Sequence, residues 1–65
     1  MTALEILKAI KKNPHGLLWL NEDRREAAYH DGEIAHPVDY SAARMARTDP
    51  ALRIIDTTDG ETLST

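Results

Sequence analysis

The sequence predicts an α+β fold, with an N-terminal amphipathic helix and a second short helix packed on small antiparallel β-hairpins. Residues 2–12 carry a helix-start signature followed by apolar residues at helical spacing. Residues 17–21 and 52–57 are short apolar or β-branched runs of strand length. Asp-Gly occurs in HDGE (30–33) and again in TTDGET (57–62), each time followed by Glu. That pair is a strong hairpin signal, because glycine accepts the positive φ that tight turns require.

The first helix is the best-defined element. Thr2 and Glu5 have capping-box spacing, in which each side chain satisfies a backbone N–H at the helix start. At 100° per residue, Ala3, Leu4, Ile6, Leu7 and Ile10 fall within one apolar arc of about 160°. Asn13-Pro14-His15-Gly16 stops the helix, since proline removes a donor and glycine permits a left-handed exit.

Residues 17–36 admit two readings. As a helix, Asn21 is the N-cap and Gly32 the stop, but Ala27, Ala28 and Tyr29 then share no face. As strands, 17–21, 25–30 and 33–36 form a meander with turns at Asp23-Arg24 and Asp31-Gly32. That register sets Leu18 opposite Tyr29, Leu20 opposite Ala27, and Tyr29 opposite Ile34, all on one face. Asp-Arg is a poor centre for a two-residue turn, yet the strand reading is preferred for its consistent alternation.

Pro37 to Thr48 reads as the second helix, begun by Asp39 or His36 and ended before Asp49-Pro50. Ala42, Met45 and Ala46 are expected on its inner side, with Tyr40, Arg44 and Arg47 on the other. Leu52–Thr57 is strand-like, and Asp59-Gly60 is expected to fold Glu61–Ser64 back on it.

Composition bounds the rest. Sixty-five residues make a single small domain, 1–65. A domain this small buries only about 60 % of the surface its unfolded chain exposes, so its stability is marginal. With no cysteine, there is no disulfide, thiolate metal site or cysteine nucleophile. The longest apolar run, Leu17–Leu20, falls well short of the roughly 18 residues of a membrane span, so a soluble cytoplasmic protein is expected. The charge is uneven. Residues 1–20 set Glu5 against Lys8, Lys11 and Lys12, whereas the remainder is acidic, for a total of −3.

No catalytic pattern emerges, and no enzymatic activity, cofactor or metal is expected. No close pair among His15, His30 and His36 has the i, i+3 or i, i+4 spacing that presets a helical metal site. The 56–61 acids do not follow a calcium loop, and no glycine-rich elbow presents Ser41 or Ser64. Trp19 reads first as a core residue. If its strand has a solvated face, however, Trp19 and Leu17 project there together, as an apolar anchor for a partner.

Two functions from different classes follow. ALEILKAIKKNPHGL resembles the opening helix and turn of bacterial winged-helix regulators. That resemblance implies a winged helix-turn-helix: a second helix at 22–31, a recognition helix at 38–48 and a wing at 52–64. Tyr40, Ser41, Arg44 and Arg47 would then contact DNA. Charge opposes it, because the implied wing sets Asp56, Asp59 and Glu61 against Arg53 alone, where phosphate would demand cations.

The preferred expectation is a small acidic non-enzymatic protein-binding module or inhibitor. Its partner is expected to be a basic, nucleic-acid-binding protein whose positive surface the acids engage by mimicking nucleic acid. In size and charge the chain resembles inhibitors from phages and mobile elements, including anti-CRISPR and anti-restriction proteins. The expected acidic surface draws on Asp31, Glu33, Asp39, Asp49, Asp56, Asp59 and Glu61. Reversing charge at Asp59 and Glu61 is expected to weaken partner binding without unfolding the domain.

Overall fold

The computed structural model describes residues 1–65. In chain order they form α1 (Ala3–Lys12), β1 (Leu17–Asn21), β2 (Glu26–His30), β3 (Ala35–Val38), α2 (Tyr40–Arg47), β4 (Arg53–Asp56) and β5 (Glu61–Ser64). The strands make one antiparallel sheet in the order β3-β2-β1-β5-β4, with both helices packed on one face. This is the expected α+β arrangement. The winged helix-turn-helix is not needed: residues 22–31 form a turn, β2 and a loop residue instead of a helix.

α1 starts as its sequence dictates. Glu5 N–H donates to Thr2 Oγ1 at 3.2 Å, and Thr2 N–H donates to Glu5 Oε1 at 2.9 Å. Its buried stripe is narrower than the apolar arc: Ile6 and Ile10 are buried, whereas Leu4 is 60 % exposed. Beneath them lie Leu18, Leu20, Ala27, Tyr29 and Leu63 from the sheet, joined by Ala43 and Ala46 from α2 and by Leu52. Burying each large aliphatic chain contributes about 1.5–3 kcal/mol.

The first hairpin keeps the expected register, Leu18 opposite Tyr29 and Leu20 opposite Ala27. Its turn resolves the Asp-Arg difficulty. Arg25 N–H donates to Glu22 O, and the positive φ falls on Arg25 at 53° instead of on the two central residues. A four-residue loop of this kind needs no glycine at its centre.

The next link departs from expectation. Asp31 Oδ1 accepts the N–H groups of Glu33 and Ile34, both at 2.8 Å, so a four-residue loop replaces the two-residue turn. β3 therefore begins at Ala35, and His36, not Ile34, stands opposite Tyr29. Ile34 is left 59 % exposed, and His36 stacks on Tyr29 with ring centroids 5.9 Å apart. The shift is two residues, so the same face stays inward. Pro37 lies on this edge strand, where its missing donor costs no ladder bond.

α2 is shorter than 37–48. Asp39, not His36, is its N-cap, accepting from Ala42 N–H. Its inner side is Ala43 and Ala46, whereas Met45 turns 68 % outward. Only the small side chains fit where the helix approaches α1 and the sheet.

Candidate functional site

Alternation along β1 decides what faces solvent. Leu18 and Leu20 point under the helices, so Leu17, Trp19 and Asn21 point the other way. No helix covers that second face. Trp19 stands at the middle of the central strand, with Ala28 and Thr62 directly beside it. Beyond these lie Pro37 and Asp56, so one row crosses all five strands as Pro37, Ala28, Trp19, Thr62 and Asp56. The small neighbours leave the indole half-buried. Its Nε1–H donates to the Asp59 carbonyl at 2.7 Å, which fixes the ring against the β4–β5 loop.

That loop is held in place by close approach. Gly60 has φ of 69°, and a Cβ there would collide with the Leu20 carbonyl. Asp56 Oδ1 accepts both Thr58 N–H and Thr58 Oγ1–H, which holds its carboxyl below the usual range. Asn21 Nδ2 reaches the Asp59 carboxylate at 3.4 Å. Asp56, Asp59 and Glu26, which lies opposite Asn21, thus gather at the upper end of the open face.

The expected acidic surface is not one surface. The registers put the β2–β3 loop at the Leu17 end of the sheet and the β4–β5 loop at the Asn21 end. At about 3.3 Å per residue the two acidic corners are separated by more than about 13 Å. Asp31 is drawn to His36 Nε2 at 2.8 Å, and that bond, with the Ile34 and Glu33 amides, holds its carboxyl well below the ordinary range. Asp39 caps α2. Asp49 accepts from Ala51 N–H and from Lys11 Nζ at 3.3 Å, and both lower its pKa.

Glu61 lies on the helix side, where Arg47 grips it with two bonds of 2.5 and 2.8 Å and lowers its pKa. It therefore does not share a face with Trp19, and charge reversal there would break an internal pair instead of probing the open face. Of the seven acids, only Glu33 forms no side-chain hydrogen bond.

The alternative DNA-contacting residues do converge. Tyr40, Arg44 and Arg47 line a cleft of about 350 Å³ on the helix side, and Ser41 borders the adjoining hollow. Arg44 lies over the Tyr40 ring at 5.9 Å and donates to its hydroxyl at 3.3 Å. Glu22, Asp23 and Glu61 line the same cleft. Three carboxylates facing two guanidiniums disfavour phosphate.

Asn13 carries more than its sequence context suggests. Its side chain donates to the Asp31 carbonyl at 2.7 Å and accepts from His15 N–H at 2.9 Å, tying the helix exit to the end of β2. No group of three or more His, Asp or Glu side chains is arranged to hold a metal ion, and no helix is long and apolar enough to cross a membrane. Compared with protein-family models, with curated proteins and with solved structures, the chain finds no match.

Proposed function

We propose that the chain is a non-enzymatic protein-binding module whose docking face is the helix-free side of the sheet. The observation that carries this reading is the placement of Trp19: mid-strand, mid-sheet, half-buried and covered by no helix. A rigid aromatic ring among small neighbours supplies a large contact area at little entropic cost, the usual character of an interface anchor. Glu26, Asp56 and Asp59 add a negative rim at one end, so the partner that fits is a protein with an apolar recess bordered by basic residues. Asp31, Asp39, Asp49 and Glu61 are engaged within the fold, and Glu33 lies at the opposite end of the sheet, so the acidic surface narrows to this rim.

The test compares capture of host proteins by the wild-type chain and by folded variants. Trp19→Ala is expected to weaken partner binding at least about thirtyfold, as for a central anchor. Thr62→Arg, which adds bulk beside the indole without touching the core, should do the same. Asp59→Lys with Glu26→Lys should mainly slow association, while Lys8→Glu on α1 should change nothing. Undiminished binding by both Trp19→Ala and Thr62→Arg would overturn the reading.

A further inference from the structure

The sheet has two edges, and they are not alike. β3 carries Pro37, which blunts pairing with another strand. β4, the other edge, is Arg53-Ile54-Ile55-Asp56, exposed throughout and without proline or lysine. Ile54 and Ile55 are 45 % and 51 % exposed. β4 is short, bulged and charged at both ends, which limits open-ended pairing. Its free edge with two bare isoleucines is still a pairing template for a partner strand that matches that bulge and those charges.

The β-bulge in β4 gives that template a self-complementary register. Arg53 pairs with Ser64 and Asp56 with Thr62, with the irregularity between Ile54 and Asp56. Ser64 and Thr62 lie two residues apart on β5, so Arg53 and Asp56 share the open face. In an unbulged strand, residues three apart point to opposite faces. Two copies of β4 laid antiparallel about a two-fold axis can therefore set Arg53 of each copy against Asp56 of the other, on the same face. The four isoleucines then gather around the axis.

We propose that the chain forms a two-fold homodimer through β4, joining two sheets edge to edge with reciprocal Arg53–Asp56 pairs. The occupant of the edge is a second copy because its charges complement themselves in this register: each end of the strand meets the opposite charge once, giving two pairs across the axis. The axis runs perpendicular to the sheet, so both open faces stay on one side. Five strand spacings of about 4.8 Å would set the two Trp19 residues about 24 Å apart. The interface is small, so the dimer is weak, in the micromolar to millimolar range. This inference does not depend on the partner-binding reading.

Sedimentation of the full chain from about 10 µM to 1 mM should show a monomer–dimer equilibrium. Arg53→Asp alone sets Asp against Asp at both ends, and Asp56→Arg alone sets Arg against Arg; each should weaken self-association at least tenfold. Mixed together, the two variants present opposite charges at both ends and should form a heterodimer of near wild-type affinity. Trp19 fluorescence reports whether the β4–β5 loop survives in each variant. In the unmutated chain, amide exchange at 53–56, but not at 35–38, should slow as concentration rises. A chain monomeric at 1 mM, or a dimer with no added protection at 53–56, would overturn the proposal. So would one unaffected by Arg53→Asp, because the association would then use another surface or a different strand.

Discussion

Two residues with positive φ show what side-chain identity reveals and what it hides. Gly60, at 69°, was marked by its Asp-Gly context, whereas Arg25, at 53°, was not. A long polar side chain gives no sign of left-handed backbone; the loop imposes that conformation through the bond from Arg25 N–H to Glu22 O. The two positions should respond in opposite ways. Gly60→Ala meets both the unfavourable φ and the Leu20 carbonyl, and should cost about 2 kcal/mol. Arg25→Gly relieves the unfavourable φ, which outweighs the added freedom of the unfolded chain, and should stabilise by about 0.5 kcal/mol. Urea denaturation of the two variants reads both signs.

Among the elements, α2 shows why a pattern of small apolar residues is ambiguous. Ala42, Ala43, Met45 and Ala46 offer two overlapping stripes, and periodicity alone chose the one containing Met45. Packing chose Ala43 and Ala46, both 0 % exposed, because only a methyl side chain fits between α1 and the sheet. Ala43→Leu is therefore expected to cost about 1–3 kcal/mol through overpacking. Met45→Ala should stay within about 0.5 kcal/mol, as for a surface change. Thermal unfolding of the two variants separates the stripes. The β2–β3 link teaches a related lesson: the Asp31 side chain satisfies two loop amides and so sets a longer loop than Asp-Gly alone implies.

At the scale of the whole molecule, acid should unfold the chain through a few internal carboxylates. Glu61 is lowered from its ordinary 4.5 chiefly by the Arg47 hydrogen bonds, and Asp31 from 3.8 chiefly by His36. A carboxylate with a lowered folded pKa stabilises above its unfolded pKa and loses that contribution as pH falls through the folded value. The contribution of these carboxylates should therefore be complete above about pH 5.5, and the denaturation midpoint should fall below about pH 4. Glu61→Gln should cost about 0.5–1 kcal/mol at pH 7, since the pair is only partly shielded from solvent. The fall with acid should also be shallower in that variant. An equally steep fall would show that Glu61 carries no part of it.

The sequence by itself determined what depends on neighbours along the chain. The Thr2–Glu5 cap is a contact three residues apart, and the inward set of Leu18, Leu20, Ala27 and Tyr29 follows from alternation alone. It also placed Leu17 and Trp19 together on one side of their strand. Only the tertiary structure decided that both helices lie on the opposite side, because helix placement depends on how Ile6, Ile10, Ala43 and Ala46 fill a shared space. It likewise decided that the two Asp-Gly corners sit at opposite ends of the sheet, that Glu61 is taken by Arg47, and that β4 is left as a bare edge. These are relations between segments distant in sequence, set by strand order and packing, and no local pattern encodes them.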